Sequence, residues 1–350
     1  MSLVNLLRRN IRKTLFTTPS HDRHYFIYPK LRNLYKLDIS ETEVHNPVAA
    51  LKKAESAAAE IYGTKVTKFL TNGSTSGIIA AVLSCVNRGE KVLIWDKAHP
   101  CHKNAVELAG GVPVLYGLKE VPEWGVHGRT SPDMIELYLI KERPVAVIIT
   151  SPTYEGYVSN VRALKQICQK YDAYLIVDEA HGALYPFSDR LPESAVTIAD
   201  FTVQSLHKTA GGVNPTALLH SNTEINIDEA LSRINTTSPS YPLLASIEAN
   251  IRFLNSQRGK KAINKLIDNI TELKLDCSDC EFGGDDITKI LVKINGISGI
   301  ELSERLYNQY AIEDEKTNST STMLLCGIGT TQAKLLRLKR ALKTISKDFK

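Results

Sequence analysis

The chain has 350 residues, 43% hydrophobic and 23% charged, with a formal net charge of +5. This leaves room for one large and one small domain with a sizeable core, and the balance is that of a soluble globular enzyme. The basic stretches Arg8 to Lys13 and Lys334 to Lys350 read as solvated helix faces rather than a nucleic-acid tail, and no apolar run has the length of a membrane span.

Residues 1–44 read as a mixed N-terminal arm rich in rings: Phe16, Tyr25, Phe26, Tyr28 and Tyr35. Its start carries Arg8, Arg9, Arg12 and Lys13 and lacks a signal-peptide core, so a cytoplasmic location is expected. Pro47 to Tyr62 predicts an Ala-rich helix stopped by Gly63. Short apolar strands then alternate with helices. The strands are Lys91 to Trp95, Val112 to Tyr116 despite Pro113, Val145 to Ile149, Ala173 to Val177, Phe201 to Gln204 and Thr216 to Leu219. The helices between them include Asn104 to Ala109 and Val161 to Tyr171. Such alternation predicts an α/β domain with a mostly parallel sheet covered on both faces.

The pattern changes near residue 245. Helical stretches Leu243 to Leu254 and Lys261 to Leu273 are followed by Ile287 to Ile294, Ile300 to Asn308, Met323 to Cys326 and a last helix through Ile345. Residues 45–245 are therefore read as the large domain and 246–350 as a smaller α+β C-terminal domain. Six cysteines, Cys85, Cys101, Cys168, Cys277, Cys280 and Cys326, show no disulfide framework, which favours a reducing compartment. Cys277 and Cys280 have CxxC spacing but no second ligand pair nearby, so no metal is expected.

Three stretches carry chemistry together. Thr71-Asn72-Gly73-Ser74-Thr75-Ser76-Gly77 is a small-residue loop opening a helix expected from Ile78. Its glycines let backbone approach an anion, and a helix N-terminus with hydroxyl donors suits a phosphate; a plain N-cap and turn fits equally well. Asp178, in Val177-Asp178-Glu179-Ala180-His181-Gly182, ends a buried strand, where ligands of open α/β sheets gather, or it caps the next helix. Glu179 reads as structural. Lys208 lies about thirty residues later in Ser205-Leu206-His207-Lys208-Thr209, before Gly211-Gly212. A phosphate site, a strand-end acid and a lysine are the parts needed for pyridoxal 5'-phosphate (PLP): the acid keeps the ring nitrogen protonated and the lysine holds the aldehyde as a Schiff base. His99, after the strand at Lys91, can stack on the ring. His181 and His207 can orient ring substituents or relay protons, or are satisfied core histidines.

These pieces resemble the Orn/Lys/Arg decarboxylase group of PLP enzymes, which have the aspartate-aminotransferase fold (fold type I). Asn72 to Gly77 is similar to that family's phosphate loop, Asp178 to Ala183 to its DEAHGA element, Ser205 to Thr209 to its S-x-H-K-T lysine motif, and Thr236 to Tyr241 to its TTSPSY stretch. The resemblance places His99 at the ring-stacking position and Ser205 in the phosphate site. It implies Lys208, Asp178, His181 and His99 as catalytic residues. Gly73, Ser74, Thr75, Ser205 and His207 would join them around the cofactor.

It also implies a basic amino-acid substrate, decarboxylation, and a homodimer or larger homo-oligomer. Two departures stand out. The family's TPGHK-like motif is Thr18-Pro19-Ser20-His21-Asp22 here, and the chain stops after the small domain, a short form without the further decarboxylase domain. Thr18, His21 and Asp22 are the substrate candidates, with Glu41 and Glu43 as further acids for a basic head. The alternatives keep the carboxylate: Cα–H removal with elimination and cyclisation of a hydroxyarginine-type substrate, or aminotransfer. A PLP-binding regulator without catalysis is the alternative outside enzymology.

Overall fold

The computed structural model describes residues 2–10, 36–39 and 47–349. Its centre is a seven-stranded sheet of β1 (Val66–Leu70), β2 (Lys91–Trp95), β3 (Val112–Tyr116), β6 (Ala146–Thr150), β7 (Tyr174–Asp178), β8 (Phe201–Ser205) and β9 (Ala217–Ser221), with a small hairpin, β4 (Glu120–Val121) and β5 (Val126–His127), outside it. The strand order is β1-β9-β8-β7-β6-β2-β3. β9 is antiparallel to both neighbours, and every other pair is parallel. β3 forms an edge of the sheet, where Pro113 removes no interior ladder bond.

Alternate residues of the strands feed two apolar layers, as the period of two requires. Ile94, Ile148, Ile176 and Val203 pack with α3 (Gly73–Cys85), α4 (Cys101–Leu108) and α7 (Asp228–Ile234) on one face. Leu93, Val147, Ile149 and Val177 pack with α5 (Pro132–Glu142) and α6 (Val161–Lys170) on the other. Both layers are dry, which explains strands that read as unbroken apolar runs. Gly77 lets α3 lie close to the sheet: a Cβ there would come within 2.8 Å of Leu70 Cδ1 and Val203 Cγ1.

The second sheet is antiparallel, in the order β10-β11-β13-β12: β10 (Glu281–Gly283), β11 (Lys289–Lys293), β13 (Thr322–Leu325) and β12 (Lys316–Thr317). It is accompanied by α9 (Gln257–Asp276), α10 (Gly299–Tyr310) and α11 (Gln332–Lys347). α8 (Tyr241–Asn255) shares one apolar cluster with Leu206 and Leu218 of the first unit and with Ile290 and Leu342 of the second. α1 (Leu3–Asn10) buries Leu3, Leu6 and Leu7 in the same cluster, and the Leu3 N–H donates to Glu248 Oε2 at 2.8 Å, fixing α1 to α8. α2 (Pro47–Tyr62) lies where its composition predicted a helix.

Several boundaries differ from the sequence expectation. α3 begins at Gly73 rather than Ile78, so Ser74, Thr75 and Ser76 form its first turn. α4 begins at Cys101 rather than Asn104, and α5 and the β4–β5 hairpin were not anticipated. The aromatic arm residues Phe16, Tyr25, Phe26, Tyr28 and Tyr35 lie outside the described residues.

Candidate active site

A cavity of about 720 Å³ opens where β2, β6, β7 and β8 end, between the large sheet and the edge of the small one. That is the ligand-binding end of an open α/β sheet. Its wall includes the first turn of α3, Trp95, Asp178, His181, Lys208 and, from β12, Lys316.

Lys208 sits in a single wide helical turn, Leu206–Ala210, which closes on Gly211 in the left-handed region at φ 81°. This turn redirects the chain from buried β8 and aims the lysine into the cavity. Lys208 Nζ lies 3.0 Å from His181 Nε2. Burial lowers the Lys208 pKa; Asp178 and Glu315 oppose that, and Lys289 adds to it. Burial, then the charges of Lys289 and Lys208, hold the His181 imidazole well below its ordinary range. A neutral ring accepting at Nε2 carries its proton on Nδ1, and His181 Nδ1 is buried without a partner.

Asp178 ends β7 as expected. Its Oδ1 accepts the Ala180 N–H at 3.1 Å, and its Oδ2 lies 2.9 Å from His102 Nε2. Burial pushes the Asp178 pKa up, but the His102 hydrogen bond and charge, the Ala180 N–H and Lys208 together bring it below its ordinary value. His102 was missed in the sequence. It is fully buried at the start of α4 and reaches Asp178 from the segment after β2, with β6 between the two strands. Glu179 points elsewhere, accepting from Ser194 Oγ, the Ala195 N–H and Gln204 Nε2.

The other predicted positions are also placed. Gly73, Ser74, Thr75, His99 and His207 line the cavity. The His99 ring is exposed there, and its Nδ1 accepts the Cys101 N–H at 3.3 Å. His207 Nδ1 lies 3.1 Å from the Thr216 carbonyl and donates to it, leaving Nε2 free to accept. Ser205 is fully buried at the end of β8, and its Oγ has no partner. Thr18, His21, Asp22, Glu41 and Glu43 lie outside the described residues. Trp95, Thr150, Tyr154, Glu155, Lys316 and Asn318 also line the cavity and were not anticipated.

One set of three side chains among the described residues could hold a metal: ligand atoms of Cys101, His102 and Asp178 lie within 4.8 Å of one another. Asp178 and His102 are already joined there, and burial pushes the Cys101 thiol up to about 12. The thiolate that a metal needs is thereby disfavoured.

The Orn/Lys/Arg decarboxylase major-domain family matches residues 14–292. The chain belongs to this family. It is 27% identical to the arginine decarboxylase of Bacillus anthracis over 96% of this chain and 74% of that one. It is 26% identical to the constitutive lysine decarboxylase of Escherichia coli over 62% of this chain and 32% of that one. The Francisella novicida lysine decarboxylase superposes with a TM-score of 0.87 at 19% identity, covering 99% of this chain and 60% of that one. The chain thus spans a little under two thirds of that decarboxylase of known structure. Its fold is fold type I, and it is an enzyme of the decarboxylase-like family, whose cofactor is PLP.

The donor set fits that cofactor. An anion meets the free N–H groups of α3, and an anionic carboxylate waits at the end of β7. Trp95 Nε1, Thr150 Oγ1 and His181 Nδ1 are buried on the cavity wall without partners. Buried polar groups of that kind are satisfied when a polar ligand occupies the cavity.

Proposed function

We propose that the chain is a PLP-dependent decarboxylase of an amino acid with a basic side chain. The observation that carries this reading is Lys208 beside neutral His181, in one cavity with the Asp178–His102 pair and the first turn of α3. Bound PLP supplies a carbonyl and an electron sink for bond breaking at the substrate Cα.

The chain's own residues do the rest. Gly73, Ser74 and Thr75 offer N–H and hydroxyl donors to the phosphate, while Ser205, fully buried and outside the cavity lining, is not placed to join them. His207 Nε2 faces the same cavity. Asp178, kept anionic by His102, holds the ring nitrogen protonated. His99 lies on the cavity wall as the ring-stacking imidazole. Lys208 is the amine that holds the cofactor, and its lowered pKa favours the uncharged nucleophile. His181 Nε2 accepts a hydrogen bond from the Lys208 amine and orients it. The basic substrate is supported by the family and by the arginine and lysine decarboxylases it resembles.

The deciding experiment is mass spectrometry of products from arginine, ornithine, lysine and hydroxyarginine. Release of carbon dioxide with the matching amine is expected. Loss of water with a retained carboxylate, formation of a keto acid, or no turnover by PLP-loaded protein would each overturn the reading. Hydride reduction should fix PLP on Lys208; fixation on another lysine would remove its role. We further propose a homodimer or larger homo-oligomer. Light scattering that gives a monomer fully active at high dilution would contradict it. The six thiols, all unbonded, support a reducing, cytoplasmic setting.

A further inference from the structure

Tyr154 and Glu155 follow β6 at the cavity wall, in a loop held against the small sheet. The Asp285 and Asp286 N–H groups donate to the Gly156 carbonyl at 2.9 Å and 3.0 Å. Gly156 adopts φ +95°, and a Cβ there would stand 3.1 Å from Lys289 Cβ. The loop is therefore fixed in both conformation and position. Glu155 is buried, its side chain 8% exposed, and Oε1 lies 2.6 Å from Lys316 Nζ. The same ammonium lies 4.9 Å from the centre of the Tyr154 ring. Tyr154 is held in turn by Glu315 Oε1, to which its hydroxyl donates at 2.5 Å, and by edge contact with His181 at 4.7 Å between centroids.

The partners of this ion pair are unequal. The carboxylate is buried and fixed. The ammonium ends a flexible stem, 52% exposed, on a two-residue edge strand. A buried carboxylate needs a cation beside it, and a tyrosine face adds to the attraction. A buried acid, an aromatic face and a movable lysine make a cation box with a replaceable occupant. The ring of the box touches His181, the partner of Lys208, so its opening lies beside the reacting end of the cavity.

We propose that Tyr154 and Glu155 receive the cationic head of the basic amino-acid substrate, and that Lys316 fills that place between substrates. Exchange of one cation for another keeps Glu155 paired throughout. A neutral side chain cannot make the exchange, because it would leave a buried carboxylate alone. The box therefore selects for side-chain charge. This inference rests on the basic-substrate reading above.

Binding to the holoenzyme by titration calorimetry tests it, using cadaverine and agmatine, which carry a cationic head and no carboxylate, against pentylamine, which has the chain without the second cation. Glu155→Gln should weaken cadaverine and agmatine roughly 10-fold to 100-fold while moving pentylamine less than about twofold. Lys316→Met should instead tighten cadaverine by roughly threefold or more, since the competing ammonium is gone. A purely structural ion pair would weaken all three ligands in both variants, and that result would overturn the proposal. So would a Glu155→Gln protein that still prefers cadaverine to pentylamine as the wild type does. If Glu155→Gln does not fold, Glu155→Asp, which draws the charge back, should show the same selective weakening; uniform or absent weakening counts against the box. Carbon dioxide release from arginine and lysine is measured in parallel. Release without the binding pattern sinks the box alone, and the binding pattern without release sinks the decarboxylation reading alone.

Discussion

Replacing His102 by Phe is the sharpest probe of the Asp178 environment. A flat ring is kept, somewhat larger than the imidazole, and the donor is lost. Asp178 Oδ1 would retain the Ala180 N–H at 3.1 Å, but Oδ2 would lose its 2.9 Å bond to His102. Both side chains are buried, 0% and 9% exposed, so water cannot replace that bond. A hydrogen bond to a charged group is worth about 1.5–3 kcal/mol, roughly 10-fold to 150-fold in an equilibrium constant. The PLP dissociation constant should rise by about that factor, because only an anionic Asp178 pairs with a protonated ring nitrogen.

The pH dependence has a definite sign. Asp178 has a depressed pKa, so its contribution is full above the ordinary carboxylate range and is lost as pH falls through the folded value. Without His102, burial dominates and this loss begins at higher pH. PLP affinity from equilibrium dialysis, measured across mildly acid to neutral pH, should fall earlier in the variant. His102→Asn, which returns a neutral donor, should recover part of the affinity. A His102→Phe protein with PLP affinity within about twofold of wild type and an unshifted pH profile would refute the reasoning.

Three other perturbations read the surrounding scaffold. Burial lifts Glu179 to about 7, so the folded state holds its proton where the unfolded chain has released it, and stability should decline by about 3 kcal/mol as pH rises from about 4.5 past about 7. Glu179→Gln should flatten that slope in urea denaturation. Gly77→Ala puts a methyl 2.8 Å from Leu70 and Val203 and should destabilise by about 1–3 kcal/mol in thermal melts. Lys289→Met strands buried Asp286 and should cost about 3–5 kcal/mol in urea denaturation, part of it regained in Lys289→Met with Asp286→Asn, which removes the lone charge and keeps an acceptor for the Tyr185 hydroxyl.

Asp178 and Lys208 were legible because a polar residue breaks an apolar strand pattern where that strand ends. Gly73 to Ser76 were legible as a small-residue turn that opens a helix, although the helix starts inside the motif. His102 was not legible. A histidine at the start of a short helix looks ordinary until the sheet order brings α4 over the end of β7. Lys316 stands on a strand of two residues, too short to show any period, and reaches the cavity only through the pairing of β12 with β13. α5 carried its start signal, Pro132 followed by Asp133, but the exposed Leu137 and Ile140 blur the period that would have marked the buried Ile135 and Leu139. Lys289 gave no signal of its own inside the apolar stretch Ile287 to Ile294. It is fully buried because Asp286 and the His181 carbonyl, from distant segments, both meet its ammonium.

That buried lysine ties the small sheet to the chemistry of the large one. Lys289 Nζ donates to the His181 carbonyl at 2.8 Å and pairs with Asp286 at 2.6 Å, and Asp286 also accepts from the Tyr185 hydroxyl at 2.7 Å. His181 therefore stands between two ammonium groups, Lys289 on one side and Lys208 on the other. Two cations beside a buried imidazole leave it no tendency to protonate, and both lower its pKa. A neutral His181 can only accept a hydrogen bond from Lys208, so it orients the amine without taking its proton. Lys289 lowers the Lys208 pKa as well, across the same gap. The Lys208 amine is thus tuned by a residue of the other sheet. On this argument the two sheets need to stay in register for the site to work, and the clamp of Gly156 on Asp285 and Asp286 holds them there.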